Sequence, residues 1–333
     1  MRIKKGAVIP CKLLKMCINP WGWASRLWPI DSVVAANVLQ LWAHIPILGW
    51  DSTPVIQKID DMKIFSILNC KGGVGKTTLT ACIAQALSLT GLRVLVIDND
   101  MQHNLSIMLT KSEERPTVKD IYRAPSLGFA SQALFKAIKP TDLPNLHVIV
   151  SAADLTHTDV RDQFILKKCI GYCRLDRFYN YVLIDNPPGM DNLQLASIYA
   201  SEGIIVPTEL SHFALRGICD MQNLLTKKFP EACSISKIVP NFYRNKERQR
   251  DYLAQLNQLF AGRVTQTVIP YDPVFDLLVT ERKILFRHYL NSRVTSFYVK
   301  LMHELFDLDE DALWQATLQQ ETASPSAKAV PLI

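Results

Sequence analysis

Eight cysteines are spread along this 333-residue chain without one CxxC pair and without a His/Cys cluster at zinc-site spacing. They are Cys11, Cys17, Cys70, Cys82, Cys169, Cys173, Cys219 and Cys233. Such scatter excludes a disulfide framework and a structural zinc module, and fits buried thiols in a reducing cytoplasm. Cys169 and Cys173 are four residues apart, but two sulfurs fall short of the four ligands a zinc site takes. Charge of one sign is also scarce: 37 Lys+Arg against 31 Asp+Glu leave +6, which permits a nucleic-acid partner without arguing for one. No internal repeat is visible, and residues 1–61 show no helix-turn-helix pattern. What the chain has is apolar material, 48% hydrophobic against 20% charged residues. That excludes a disordered or collagenous protein, and the length allows one large or two ordinary domains.

Residues 1–61 differ in composition from the rest. They hold seven Lys/Arg against four Asp/Glu and five of the six tryptophans: Trp21, Trp23, Trp28, Trp42 and Trp50. Residues 33–50 contain no Asp, Glu, Lys or Arg, and 18 residues just reach the length of a membrane span. Asn37, Gln40, His44, Pro46 and Gly49 interrupt the stretch, and no small-residue cleavage site follows it. Three readings stay open: a dispensable extension ahead of a natural start at Met62, an interaction arm, or a membrane contact.

From Met62 onward, short β-rich runs alternate with helical stretches, the pattern of βαβ units and a parallel sheet. Strands are expected at 64–68, 93–98, 146–150, 181–185, 203–206, 235–239 and 264–269. A helix should run to Leu89 with Leu79, Ile83 and Leu87 on one stripe, ended by Gly91. Further helices are expected at 160–174 and 292–306. Residues 307–333 read as an acidic patch (Asp307, Asp309, Glu310, Asp311) and then a disordered polar tail.

The chemistry lies between the first strand and the first helix. Lys71-Gly72-Gly73-Val74-Gly75-Lys76-Thr77-Thr78 has the context of a P-loop. Its glycines let backbone N–H groups turn toward phosphates without Cβ interference, and the helix N-terminus adds partial positive charge. Lys76 should contact the β- and γ-phosphates of the nucleotide, and the Thr77 hydroxyl should bind Mg²⁺. The run Y-V-L-I-D places Asp185 after four apolar residues, a Walker-B arrangement that holds Mg²⁺ through water. Asp98 and Asp100 close the second strand, where ligands of open α/β sheets sit.

With Cys70 in place of the usual first glycine, and Lys71 next, K-G-G-V-G-K-T-T resembles the deviant phosphate loop of the ParA/MinD ATPases, in their ParA/Soj-type partition branch. The resemblance implies an α/β P-loop NTPase with a mostly parallel twisted sheet flanked by helices on both faces. It implies that Lys71 reaches across a nucleotide-sandwich homodimer to the partner's ATP. V-I-D-N-D-M-Q-H-N is similar to the family's D-x-D-P-Q-x-N element, which makes Asp100 the residue that orients the attacking water and Asp98 a support of Mg²⁺ or of the loop. Met101 stands for the usual proline, and His103 for a small residue. Asn186-Pro187-Pro188-Gly189 matches the D-x-P-P turn. Pro207-Thr208-Glu209 and Pro240-Asn241 occupy strand ends that surround the base in relatives, with Asn241 a candidate reader of adenine. The motifs cover residues 62–306 in order, with 1–61 and 307–333 outside.

The same resemblance separates functions. No cysteine stands in Asn186-Pro187-Pro188 for a nitrogenase-reductase cluster, no CxxC lies near the C-terminus for an iron–sulfur carrier, and no basic amphipathic C-terminal helix offers a MinD-type membrane hold. No stable membrane anchor is therefore expected. H-F-A-L-R-G-I (His212 to Ile218) and V-I-P-Y-D (Val268 to Asp272) resemble partition-family elements. They imply slow ATP hydrolysis stimulated by a ParB-like centromere-binding partner, non-specific DNA binding in the ATP state, and a place on the nucleoid. Arg244, Lys246, Arg248 and Arg250, with Lys283 and Arg293, are the candidate DNA contacts. Lys227, Lys228, Arg282 and Arg287 are further ones, diluted by Glu247, Asp251 and Glu281. An ATPase that positions a protein complex and a conjugative DNA-processing ATPase share the same motifs.

Overall fold

The structure, a computed structural model, describes residues 62–112, 114–229 and 233–322. The expectations for residues 1–61 and for the end of the tail, 323–333, lie outside them. In chain order the elements are β1 (Lys63–Ile67), α1 (Lys76–Leu89), β2 (Val94–Asp98), α2 (Asn104–Leu109), α3 (Val118–Arg123), α4 (Leu127–Ala137), β3 (Ile138–Pro140) and β4 (Leu146–Ile149). There follow α5 (Ile165–Tyr172), β5 (Tyr181–Asp185), α6 (Asn192–Ala200), β6 (Gly203–Glu209), α7 (His212–Lys228), β7 (Ile235–Asn241) and α8 (Glu247–Leu259). The last helices are α9 (Val274–Thr280), α10 (Leu285–His288), α11 (Arg293–Phe306) and α12 (Glu310–Thr322).

The sheet runs β3-β4-β2-β5-β1-β6-β7. All pairings are parallel except β3 with β4, an antiparallel edge of three residue pairs that the Pro- and Lys-rich sequence around it conceals. Strands buried on both faces need covers on both, and β6 shows this directly. Ile204 and Val206 face the core formed with Ile218, Met221 and Leu225 of α7, whereas Ile205 faces the core of α1 and α11. Leu79, Ile83 and Leu87 of α1 are at most 1% exposed, each contributing about 1.5–3 kcal/mol by full burial. Cys82, Cys169 and Cys173 are buried free thiols.

Three expectations need correction. Residues 264–269 form no ladder strand; the segment meets the edge of β7 at an isolated bridge, Ile238 to Val264, and again where the Ile269 N–H donates to the Pro240 carbonyl at 2.9 Å. The Glu304 carboxylate of α11 accepts the Gln266 and Thr267 N–H groups, both at 2.7 Å, and so removes donors that a strand would give to a neighbour. The helix expected at 160–174 is confined to Ile165–Tyr172: ahead of it the Asp162 carboxylate accepts the Phe164 N–H at 2.9 Å, and after it Arg174 takes a left-handed φ of +51°. The acidic patch is a helix start rather than the head of a disordered tail. Asp309 accepts the Ala312 N–H at 2.7 Å, and α12 buries Leu313 and Thr317 completely, one turn apart. Acidic groups in a first turn are favourable against the helix dipole.

Candidate functional site

The register of the sheet assembles the site. Ile67 at the end of β1 pairs with Asp185 of β5, and Asp98 of β2 pairs with the same Asp185. Three adjacent strand ends, about 4.8 Å apart, thus deliver the phosphate loop and both carboxylates to one edge. Gly73 and Gly75 adopt φ of +70° and +86°, a left-handed conformation that other residues take at a cost. A Cβ at Gly75 would also fall 2.4 Å from the Asn241 Nδ2. Gly75 is the N-cap of α1, so the loop ends with the open N–H groups of a helix terminus.

Lys76 is 6% exposed, and its ammonium donates to the Lys71 carbonyl at 3.2 Å. Burial lowers its pKa from the ordinary lysine value, against the pull of the Asp185 and Asp100 charges. The Asp185 carboxylate accepts from the Thr77 hydroxyl at 2.8 Å and, on its other oxygen, from the Thr80 hydroxyl at 3.1 Å. Burial first, and the neighbouring Asp98 charge second, push Asp185 up to about 8. Thr78 lies in the first turn of α1, and Val74 is buried.

Asp98 anchors its loop. Its Oδ2 accepts from the Ser106 N–H at 2.8 Å and the Ser106 hydroxyl at 2.6 Å, and its Oδ1 from the Asp100 N–H at 3.1 Å. With no exposed surface, it is pushed up to about 6 by burial. The turn it anchors carries Asp100, half-buried, whose carboxylate accepts the Gln102 N–H at 2.9 Å. His103 closes the turn with φ of +42°.

The two residues expected at the base lie beside the phosphate loop. Pro207 is buried within β6, and its carbonyl accepts the Asn69 amide at 2.8 Å. It is tolerated because β1 ends at Ile67, so no neighbour asks for the missing N–H. Asn241 is 3% exposed, donating to the Val74 carbonyl at 3.0 Å and accepting the Phe242 N–H at 2.9 Å. In this arrangement its amide supports the phosphate loop.

Residue reading overlooked several supports. Asn69 joins the Lys71 N–H (2.9 Å) to β6. Thr80, one helical turn after Lys76, carries the signal that could have placed it beside Asp185. Buried Asn99 donates to Asn186 at 3.2 Å and to the Leu193 carbonyl at 2.9 Å, and accepts from Tyr122 at 2.8 Å, tying the Asp100 turn to the Asp185 turn. The Lys71 ammonium is paired with Glu209 at the end of β6.

Of the candidate cations, Arg244 and Arg293 line one open groove of about 940 Å³ together with Lys300, Tyr271 and Phe297, and with the acidic Glu304 and Glu310. Arg244 stacks on Tyr271 at 3.7 Å, and Arg293 lies 5.4 Å from Phe297. Lys246 is the N-cap of α8, and Arg248 and Arg250 follow in its first turn, Arg250 bonded to Asn245 at 3.3 Å. Lys283 is not among the groove residues and pairs with Glu281 at 2.6 Å. Among the described residues, no helix is long and apolar enough to cross a membrane.

Residues 62–233 match the AAA domain family. The chain belongs to that family, within its ParA/MinD-type group of P-loop ATPases. It is 28% identical to the chromosome partitioning protein ParA of Caulobacter vibrioides over 262 residues, covering 75% of this chain and 96% of that one. It is 25% identical to the sporulation initiation inhibitor protein Soj of Bacillus subtilis, over 73% of this chain and 98% of that one. The septum site-determining protein MinD of Pyrococcus horikoshii, solved with Mg-ADP, superimposes with a TM-score of 0.62 at 26% identity, over 74% of this chain and 96% of that one. This ParA/MinD-type ATPase therefore comes from a group whose members serve partition or positioning.

Among its described residues there is no cluster of three or more His, Cys, Asp or Glu side chains able to hold a metal. A hydroxyl and one carboxylate, Thr77 and Asp185, suit Mg²⁺, which keeps waters and shares phosphate oxygens instead of taking an all-protein cage.

Proposed function

We propose that this chain is a slow ATPase that pairs with a second copy around ATP and Mg²⁺, holds DNA without sequence preference in that state, and releases it after hydrolysis. In this reading it drives plasmid or chromosome partition on the nucleoid, and a ParB-like centromere-binding protein stimulates it. The observation that carries the reading is the convergence of Lys76, the Thr77–Asp185 pair and the Asp100 turn at one edge of the sheet.

Thr77 and, through water, Asp185 would hold Mg²⁺, which supplies positive charge to phosphate oxygens. The chain's own groups do the remaining work. The N–H groups of the loop and of the α1 N-terminus bind phosphate oxygens, and Lys76 neutralises charge that builds on them. A partly desolvated lysine acts more strongly there than one in water. Asp100, on a turn fixed through Asp98, orients the attacking water. Lys71 adds a second cation from the partner's side of an ATP sandwich. Arg244, Arg293 and Lys300 offer three cations to phosphates of DNA along a groove that also carries Glu304 and Glu310, with Lys246, Arg248 and Arg250 in the neighbouring first turn of α8.

Similarity to a septum-site protein supports a second reading, in which the same cycle positions a protein complex and DNA is irrelevant. Retention on DNA and pelleting with liposomes, each with and without ATP, separate the two. ATP-dependent DNA retention without liposome binding supports partition; the reverse supports positioning.

A further inference from the structure

Lys71 belongs to the phosphate loop, yet its side chain is turned away from it. The carbonyl of Lys71 faces the loop interior, where it accepts from Lys76, while the ammonium is drawn sideways to the Glu209 carboxylate. Glu209 is the last residue of β6, and Ser211, the N-cap of α7, donates its hydroxyl to the same carboxylate oxygen at 2.9 Å. The acceptor is thus held on rigid elements by a donor other than Lys71. The end of β6 is also stitched to the loop through Asn69, which bonds Pro207 on one side and the Lys71 N–H on the other. Lys71 and Glu209 remain accessible, 41% and 34% exposed at their side chains.

We propose that Glu209 is a positioning residue for Lys71: it holds the lysine's cation beside the end of β6 and yields it to the nucleotide sandwiched with a second copy. This rests on the ATPase reading above. The physical ground is competition for one cation between a single carboxylate and a triphosphate of several negative charges. A part-exposed ion pair contributes little net stability, so nucleotide can outcompete it, and its removal shifts the ATP requirement only by a small factor. The pair acts as a threshold on nucleotide binding, not as a lock.

The test measures ATP affinity of the full chain by equilibrium binding with Mg²⁺ at about 0.5 M salt, where the Debye length of about 4 Å suppresses the general field of Glu209 over the loop. Glu209→Gln keeps an acceptor for Ser211 and is expected to tighten ATP binding about three- to five-fold. In a Lys71→Ala background the same change should move the affinity by less than about 1.5-fold. Equal gains in both backgrounds would mean that Glu209 acts through its own charge, and would overturn the proposal while leaving the ATPase reading intact. An unchanged affinity in Glu209→Gln overturns it as well. Failure of the unaltered chain to bind ATP would sink the ATPase reading and the proposal together. Thermal melting of each variant checks that the fold is kept.

Discussion

Asp98 and Asp185 stand directly opposite one another at the ends of the parallel neighbours β2 and β5. Two carboxylates in register, both at most 1% exposed, cannot both ionise without cost. The sequence of the site divides the labour. Asp98 is satisfied by three donors from its own turn, whereas Asp185 meets only the hydroxyls of Thr77 and Thr80 and is left for a cation.

That imbalance has a pH signature. The ordinary Asp value is about 3.9, and burial raises Asp185 to about 8 in the folded chain. The folded state then binds the proton that the unfolded state has lost, so this group's contribution to stability falls as pH rises from about 4 to about 8. Asp185→Asn, which carries no such charge, should gain in melting temperature relative to the unaltered, nucleotide-free chain as pH is raised from 5 to 8. A difference between the two that stays constant with pH would contradict the assigned environment.

Helix α12 supplies a second prediction. Leu313 is fully buried in the core shared with α1 and α11. Leu313→Ala should cost about 2–5 kcal/mol, read as a lower urea midpoint with an unchanged slope. Thr317→Val, which removes a hydroxyl bonded within the helix to the Leu313 carbonyl, should cost far less. A neutral Leu313→Ala would mean that the helix does not dock in solution.

Much of this fold was legible because its signals are local. The buried strand runs, the stripe of α1 and the glycine turn each sit within a few residues, and the structure has β1, α1, β2 and β5 where periodicity and motif order put them. What stayed hidden depends on partners distant in sequence. The Glu304 carboxylate that takes the N–H groups of Gln266 and Thr267 is almost forty residues away, and without it 264–269 reads as a strand. Nothing local to Asn241 in sequence shows that its amide meets the Val74 carbonyl and lies against Gly75, more than 160 residues earlier. The acids after Phe306 look like a solvated patch until Leu313 and Thr317 are seen on a buried face.

The groove around Arg244 and Arg293 predicts how DNA binding should fail. Arg244 and Arg293 come from distant segments and meet around it. If both contact phosphates, Arg244→Ala with Arg293→Ala should weaken ATP-dependent DNA binding alike on unrelated sequences. The slope of log affinity against log salt should fall by about 2. Lys283→Ala, outside the groove and paired with Glu281, should change that slope little. Sequence-selective loss would point to base contacts instead.

The central claim is an ATP cycle in which Asp100 governs hydrolysis and nucleotide state governs the hold on DNA. Its most direct measurement compares the unaltered chain with Asp100→Ala for ATP turnover and for retention on DNA at low salt with ATP and Mg²⁺. The account predicts that the variant still binds ATP, loses turnover by at least about a hundred-fold, and stays on DNA as a dimer while the unaltered chain cycles off. Turnover by Asp100→Ala at the unaltered rate, or DNA retention that ignores nucleotide, would contradict it.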